Sequence, residues 1–314
     1  MADTPTRRAV IDIGTNSVKL LVGDVTDGTV TPAFEAGEQT RLGQGLYESH
    51  RLHPEAIART VDCVTRFAAR AWEMGAASIR VIATSATRDA QNGQELVAAI
   101  LEHTNLKTEV ITGAQEAEWV YRGVLSDASL ATHPLLILDV GGGSTEFIVT
   151  VLGQCLFDHS FQLGTVRLLE KFPPADPPTM DDLAVCQRWL DELLEHSVKP
   201  VVHPHLPPLG SPQTLLVGTG GAALILARIH LALSDFSREQ IEGLSLTTQE
   251  VSAICKKLWS LPLAQRRQII GLPPERADVM LMGALIYESV LNHFQIQTLR
   301  VTTRGLRYAA LVAP

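Results

Sequence analysis

The chain carries the same short motif twice, each time between two apolar stretches. Ile11-Asp-Ile-Gly-Thr-Asn-Ser17 corresponds to Leu138-Asp-Val-Gly-Gly-Gly-Ser144, at a constant offset of 127 residues (139 − 12, 141 − 14, 144 − 17). Both copies read Asp-apolar-Gly-x-x-Ser within a strand-turn-strand pattern. A repeat about one domain length apart, in a chain of 314 residues, predicts two related units.

Strand and helix patterns alternate between the two copies. Apolar spacing and turn residues predict strands at 79–83 and 108–112, and helices at 54–75, 92–103 and 114–125. Such alternation is typical of an α/β layer. After the second copy we predict a helix from Thr179 to about Val198, a proline-rich loop over 200–212, and strands at 214–217 and 300–303.

Composition excludes several classes of protein. Hydrophobic residues make up 46% and charged residues 19%, which favours packed cores over disorder. The net charge of −8 argues against nucleic-acid binding. Four cysteines without a CxxC pair predict neither a disulfide framework nor a zinc site. With no signal peptide and no long apolar span, we expect a cytoplasmic protein without a membrane partner.

Three glycine-rich turns follow apolar strands, at Gly14–Ser17, Gly141–Ser144 and Gly218–Gly221. Glycine allows backbone amides to turn toward a ligand and form a nest that binds anions, phosphate above all. Hydroxyl side chains at the turns add donors: Thr15, Ser17, Ser144, Thr145 and Thr219. Neither GxxxxGK[ST] nor a helix-opening GxGxxG is present, which argues against a P-loop ATPase or a Rossmann dehydrogenase.

Carboxylates stand beside these turns. Asp12 and Asp139 precede the first two turns directly, and Glu146 lies on the same strand face as Ser144. A carboxylate beside a phosphate site needs a cation between them, and Mg²⁺ is held in this way by one or two carboxylates. The alternative is that each aspartate caps its own turn.

Two further charged residues are candidates for chemistry. Arg88 follows a strand through small polar residues, and its guanidinium could grip a phosphate; alternatively it belongs to a surface helix cap with Asp89. Glu116 lies in the first turn of a predicted helix, where the helix dipole favours the ionised carboxylate. Such a group can accept a proton from water, although acidic residues in first helical turns are common for structural reasons alone.

Five segments in this order resemble the exopolyphosphatase / guanosine pentaphosphate phosphohydrolase (Ppx/GppA) family. They are Val10-Ile-Asp-Ile-Gly-Thr-Asn-Ser-Val-Lys-Leu-Leu-Val22, Ala83-Thr-Ser-Ala-Thr-Arg-Asp-Ala90, Leu138-Asp-Val-Gly-Gly-Gly-Ser-Thr-Glu-Phe147, Gly218-Thr-Gly-Gly221 and Arg276-Ala-Asp-Val279. The glycine-rich segments alone indicate only the wider actin, sugar kinase and Hsp70 superfamily. The second segment, together with the Glu-Ala pair after Gly113, narrows the resemblance to this family.

The resemblance implies an α/β, actin-like (ribonuclease H-like) duplicated fold of two lobes, with the active site in the cleft between them. The expected lobes are 1–125, with about 303–314 packing back on it, and 126–302. Family members usually need Mg²⁺, with another divalent metal or K⁺ as alternatives, and are commonly homodimers.

The resemblance also assigns roles to residues. Glu116 takes the place of the catalytic glutamate that positions and deprotonates water, and Arg88 that of the arginine on the substrate phosphate. Asp139 and Glu146 are the implied metal ligands. The implied phosphate-binding residues are Asp12, Gly14, Thr15, Asn16, Ser17, Gly141, Gly142, Gly143, Ser144, Thr145, Gly218, Thr219 and Gly220.

The sequence departs from the family pattern in two places. Gln115 and Glu118 stand where many members have a glutamate and an arginine. These changes could alter how the site responds to pH or which substrates it accepts. Longer members carry a C-terminal helical domain related to the His-Asp phosphohydrolases. No His-Asp dipeptide occurs here, so we expect the short, two-domain form.

The resulting functional hypothesis is hydrolysis of the terminal phosphoanhydride of linear polyphosphate by metal-assisted in-line attack of water. Three alternatives stay open. The same chemistry could act on guanosine pentaphosphate or another nucleotide, alone or as a dual activity. The chain could also be a phosphotransferase of the sugar-kinase type, or a non-catalytic sensor that binds polyphosphate.

Overall fold

In the computed structural model, residues 4–207 and 214–313 are described, and the chain divides into two compact units. Unit 1 takes the residues up to Ser126 and those from Arg304 onward, while unit 2 runs from Asp127 to Thr303. Each unit has its own hydrophobic core built around its own sheet.

Unit 1 is built on a five-stranded mixed sheet. Its strands are β1 (Thr6–Ile13), β2 (Val18–Thr26), β3 (Thr29–Glu38), β4 (Ser78–Ala83) and β5 (Thr108–Val110). Its helices up to Val124 are α1 (Leu46–Ser49), α2 (Pro54–Glu73), α3 (Ser85–Asp89), α4 (Gly93–Thr104) and α5 (Gly113–Val124). The strand order is β3-β2-β1-β4-β5, with β1 antiparallel to β2 and parallel to β4.

Unit 2 is built on a six-stranded mixed sheet. Its strands are β6 (Leu135–Val140), β7 (Thr145–Val151), β8 (Gln154–Phe161), β9 (Leu215–Thr219), β10 (Ser245–Thr247) and β11 (Thr298–Val301). Its helices are α6 (Thr165–Lys171), α7 (Met180–Leu193), α8 (Lys199–Val202), α9 (Gly220–Leu231), α10 (Arg238–Ile241), α11 (Thr248–Ser260), α12 (Leu263–Arg266) and α13 (Met280–His293). A π-helical segment, Leu194–Val198, joins α7 to α8.

The two sheets have the same plan. Unit 2 runs β8-β7-β6-β9-β11, which matches β3-β2-β1-β4-β5 strand for strand, and adds β10 at the edge. In both, an antiparallel three-stranded meander is followed by parallel strands. This is the ribonuclease H-like arrangement, present twice. The two related units predicted from the repeated motif, and the α/β actin-like fold class implied by the family resemblance, are therefore confirmed.

The last helix of the chain, α14 (Leu306–Val312), belongs to unit 1. It packs on α5, where Gly123 approaches Gly305 so closely that a Cβ on Gly123 would lie 2.0 Å from the Gly305 carbonyl oxygen. Arg80 donates to the carbonyl oxygens of Ala310 and Ala313 at the end of α14. This backbone contact explains why position 123 has no room for a side chain.

The third strand of each meander, β3 and β8, was not predicted from the sequence. Both are edge strands with many exposed residues, so neither has the apolar run that marks the buried strands. Pro32 within β3 further weakens the strand pattern in the sequence, because proline has no N–H to donate to a neighbouring strand. The structure accommodates it because β3 lies at the edge of the sheet.

The loop predicted over 200–212 was wrong at its beginning. Residues up to Val202 continue the helical run through the π-helical segment and include Pro200, and His203–His205 form a 3₁₀ turn. Residues 208–212 of that prediction lie outside the described residues. Among the described residues, no helix has the length and apolar character needed to cross a membrane.

Candidate active site

The first glycine turn lies between β1 and β2 in unit 1. The Gly14 amide donates to the Ser17 carbonyl oxygen at 3.0 Å and closes the turn. The three residues inside it are buried: Thr15, Asn16 and Ser17. The side-chain amide nitrogen of Asn16 is buried without a hydrogen-bond partner, which leaves a donor suited to an anionic ligand.

A segment that follows β3 fixes the orientation of this turn. The Gly43 amide donates to the Thr15 carbonyl oxygen at 2.7 Å, and the Arg41 amide donates to the Asn16 carbonyl oxygen at 3.0 Å. In a planar trans peptide the N–H points opposite to the C=O, so the amides of Asn16 and Ser17 face away from this segment. Gly43 is required here because a Cβ would lie 2.2 Å from the Thr15 methyl group.

The second glycine turn is held from behind in the same way, by the first residues of α6. The hydrogen bonds run from Thr165 N to Gly141 O (3.0 Å), from Val166 N to Gly142 O (2.9 Å) and from Arg167 Nε to Gly143 O (2.9 Å). With these carbonyls fixed, the amides of Gly142, Gly143 and Ser144 point to the opposite side and form a nest for an anion. The Thr145 hydroxyl donates to the Leu163 carbonyl oxygen at 2.6 Å, so this side chain holds the turn in place.

The third glycine turn leads from β9 into α9. Gly220 has a φ of +75°, and a Cβ there would lie 2.0 Å from Oδ1 of Asp139, so the Asp139 carboxylate reaches the start of α9. The Arg276 guanidinium lies next to Gly221. Gly218 has a different reason to be glycine: a Cβ would lie 2.7 Å from the Leu299 side chain and 3.1 Å from Tyr287.

Asp139 and Glu146 are direct cross-strand partners on β6 and β7, so their side chains leave the same face of the sheet side by side. Among the described residues, no group of three or more His, Cys, Asp or Glu side chains is arranged to hold a metal. A cation in unit 2 would rely on these two carboxylates, completed by water and phosphate oxygens. That donor set fits Mg²⁺.

In unit 1 the corresponding pair is Asp12 and Lys19, partners on β1 and β2. The offset of 127 residues relates Lys19 to Glu146, so a cationic side chain stands where unit 2 has a second carboxylate. Burial raises the pKa of the Asp12 carboxyl above its ordinary value, and the positive charges of Lys19 and Arg307 oppose that rise. Unit 1 thus supplies its own countercharge.

Glu116 and Arg88 contact each other in unit 1. Arg88 Nη1 lies 3.1 Å from Glu116 Oε2, and Glu116 is 8% exposed. Arg88 comes from α3, directly after β4, and Glu116 from the first turn of α5, directly after β5. The adjacent parallel strands β4 and β5 therefore deliver both side chains to one edge of the sheet.

The two departures from the family pattern have local structural roles in α5. Thr112 and Gln115 form a capping box, in which the Gln115 side chain accepts from the Thr112 amide at 3.0 Å and the Thr112 hydroxyl accepts from the Gln115 amide at 3.1 Å. Glutamine serves this purpose as well as glutamate does. Glu118 forms an exposed ion pair with Arg122 at 2.6 Å, one turn further along the helix.

The sequence reasoning overlooked three residues beside the predicted ones. Lys19 could have been found by applying the 127-residue offset to Glu146. Ser160 donates its hydroxyl to Glu146 Oε1 at 2.7 Å, but it lies on the edge strand that the sequence did not reveal. Arg276 was noted only as part of a motif, and its position beside Gly221 depends on tertiary structure.

Two ribonuclease H-like units, each with a backbone nest after its first strand and an aspartate beside it, define a phosphate-handling α/β protein of the actin-like class. The profile of the Ppx/GppA phosphatase family matches residues 21–313, and the chain belongs to this family. The resemblance seen in the sequence motifs is thereby confirmed.

Relatives and solved structures agree with this assignment. A protein named exopolyphosphatase 2 from Mycobacterium tuberculosis is 33% identical over 301 residues, which cover 92% of this chain and 91% of the relative. The structure of an exopolyphosphatase from Cytophaga hutchinsonii is 28% identical, with a TM-score of 0.88 over 98% of this chain and 96% of that chain. The Ppx/GppA family member from Aquifex aeolicus is 28% identical, with a TM-score of 0.79 over 99% and 97%.

Proposed function

We propose that this protein is an exopolyphosphatase, which hydrolyses the terminal phosphoanhydride of linear inorganic polyphosphate and releases orthophosphate. The observation that carries the proposal is the contact between Arg88 and the buried Glu116, two side chains that can serve the transferred phosphoryl group and the attacking water. Membership of the Ppx/GppA phosphatase family and the relatives named exopolyphosphatase support the choice of substrate.

In the proposed reaction, Glu116 orients a water molecule and accepts its proton as the water oxygen attacks the terminal phosphorus. The bond between that phosphorus and the bridging oxygen breaks, and the shortened polyphosphate leaves with the electron pair. Such reactions depend on positioning and on stabilising charge, and no protein nucleophile is required.

Each unit has groups that would meet the negative charge of a phosphate, and in unit 1 these include the Arg88 guanidinium. The nest of unit 1 offers the amides of Asn16 and Ser17, and that of unit 2 the amides of Gly142, Gly143 and Ser144. Asp139 and Glu146 are the residues that would hold Mg²⁺, which supplies positive charge to phosphate oxygens when bound.

The test is orthophosphate release from short and long polyphosphate, guanosine pentaphosphate and ATP, with and without Mg²⁺, by wild type and Glu116→Gln. We expect Mg²⁺-dependent release from polyphosphate by wild type. Glu116→Gln should lower turnover at least about 10³-fold while still binding polyphosphate, since the amide cannot accept the proton. Glu118→Gln is the matched control, because Glu118 is exposed and paired with Arg122.

Full activity of Glu116→Gln would contradict the assigned role. Release from guanosine pentaphosphate alone would keep the mechanism and change the substrate. Transfer of a phosphoryl group from ATP to an acceptor other than water would favour the kinase-type alternative. Polyphosphate binding without turnover, with Mg²⁺ present, would favour the sensor.

A further inference from the structure

One row of side chains crosses the sheet of unit 2 at the level of the metal candidates. Thr219 on β9 is the register partner of Asp139 on β6, Asp139 is the partner of Glu146 on β7, and Glu146 is the partner of Ser160 on β8. Partners in register project from the same face of a sheet, about 5 Å apart. The row therefore places two carboxylates between two hydroxyl groups.

The corresponding row of unit 1 has a different composition. Asp12 on β1 is flanked by Ile82 on β4 and by Lys19 on β2, and Lys19 is the partner of Gly37 on β3. The aspartate is common to both rows. Beside this aspartate, the row of unit 1 has the ammonium group of Lys19, and the residues at its two ends, Ile82 and Gly37, carry no hydroxyl. The row therefore does not offer the oxygen donors that a divalent cation needs.

Ser160 is bonded directly to one of the carboxylates in the unit 2 row. Its Oγ donates to Glu146 Oε1 at 2.7 Å, and Glu146 is only 2% exposed. The terminal torsion of a glutamate is broad and has no strong intrinsic preference. A hydroxyl that donates to one carboxylate oxygen sets the plane of that carboxylate and so the direction of its lone pairs. Such partners of metal ligands are worth 10–100-fold in metal affinity.

We propose that Ser160 is the positioning residue of a single divalent-cation site in unit 2, and that Lys19 takes the place of a second cation in unit 1. The inference rests on the proposed function for its choice of metal ligands. Ser160 acts through Glu146 and does not need to touch the substrate. The two units thus differ in the source of positive charge: unit 1 has the side chain of Lys19, and unit 2 binds a divalent cation from solution.

The test measures Mn²⁺ binding to the full chain by electron paramagnetic resonance of the free ion, without substrate. We expect one Mn²⁺ per chain, and a dissociation constant about 10–100-fold higher in Ser160→Ala than in wild type. Ser160→Thr keeps the hydroxyl on a strand that accepts β-branched residues, and should restore most of the affinity. The matched control is Ser289→Ala, because Ser289 is a buried serine of unit 2 whose Oγ has no partner.

Several results would overturn the proposal. Equal affinity in Ser160→Ala and wild type would remove the positioning role, provided that circular dichroism gives both the same fold. Two ions per chain, or a loss of one ion on Asp12→Asn, would place a cation in unit 1. No binding by wild type would remove the site itself. Because binding is measured without turnover, an inactive protein that still binds one Mn²⁺ through Ser160 and Glu146 would contradict the proposed function alone.

Discussion

Nη1 of Arg88 lies 3.1 Å from Oε2 of Glu116, and the same nitrogen donates to the carbonyl oxygen of Ile111 at 2.9 Å. Ile111 is the last residue before the cap of α5, so Arg88 ties the carboxylate to the start of the helix that carries it. The guanidinium is thereby held in place before any phosphate arrives, which reduces the cost of ordering it on binding.

Replacing Arg88 should weaken catalysis strongly. We expect Arg88→Met to lower kcat/KM for polyphosphate by about 10²–10³-fold, because removing one donor to a developing charge has effects of this size. The kcat/KM of Arg88→Lys should lie between those of wild type and Arg88→Met, since lysine keeps the positive charge but lacks the planar guanidinium. Steady-state phosphate release measures both, and Arg122→Met, which breaks only the exposed pair with Glu118, should stay near wild type. Equal losses in Arg88→Met and Arg122→Met would contradict a specific role.

The cap of α5 should contribute to stability. Thr112→Ala removes the side-chain acceptor for the Gln115 amide and is expected to lower the free energy of unfolding by about 1 kcal/mol. Thr112→Ser retains the acceptor and should recover most of the loss, and Gln115→Glu should be tolerated because it completes the same capping box. Urea unfolding of the three variants measures these differences. A loss in Gln115→Glu as large as in Thr112→Ala would contradict the capping role of residue 115.

Gly220 and Gly75 form a matched pair for testing the approach of Asp139 to α9. Both have a φ near +75°, but a Cβ on Gly75 meets nothing within 4 Å, whereas one on Gly220 would overlap Asp139 Oδ1. Gly75→Ala should lower the free energy of unfolding by about 1–2 kcal/mol, because alanine is strained in the left-handed backbone conformation. Gly220→Ala should lower the free energy of unfolding further and should also weaken Mn²⁺ binding, because the new methyl group would force the Asp139 carboxylate to move. Calorimetry and Mn²⁺ titration distinguish the two effects, and identical behaviour would exclude the close approach.

Asp12 should make stability depend on pH with a sign opposite to that of a salt-bridged carboxylate. Its pKa is raised in the folded protein, mainly by burial, so folding favours the protonated form. The stability that this group contributes is fully present below its ordinary pKa, about 4, and is lost as pH rises through the raised folded value. Relative to wild type, Asp12→Asn should therefore gain stability between pH 4 and pH 7. Urea midpoints at both pH values measure the change, and a relative gain toward acid pH would contradict it.

The duplication can be read from the amino-acid sequence without the structure. Asp-apolar-Gly-x-x-Ser is a local pattern, because glycine and an adjacent buried strand are enough to make each turn, and its repetition at a fixed offset predicted two related units. The same is true of α5 and its first turn, since the cap at Thr112 and the carboxylate at Glu116 lie within five residues of each other. Local patterns of this kind can be read without knowledge of distant contacts.

The residues that lie beside these motifs, in contrast, follow from strand pairing and packing. The edge strands β3 and β8 carry little apolar signal, so Ser160 could not be placed next to Glu146 without the register of the sheet. Arg88 meets Glu116 because β4 and β5 are parallel neighbours, and Asp139 reaches Gly220 because β6 pairs with β9. These contacts join residues far apart in the chain, and strand pairing, which no local pattern encodes, brings them together.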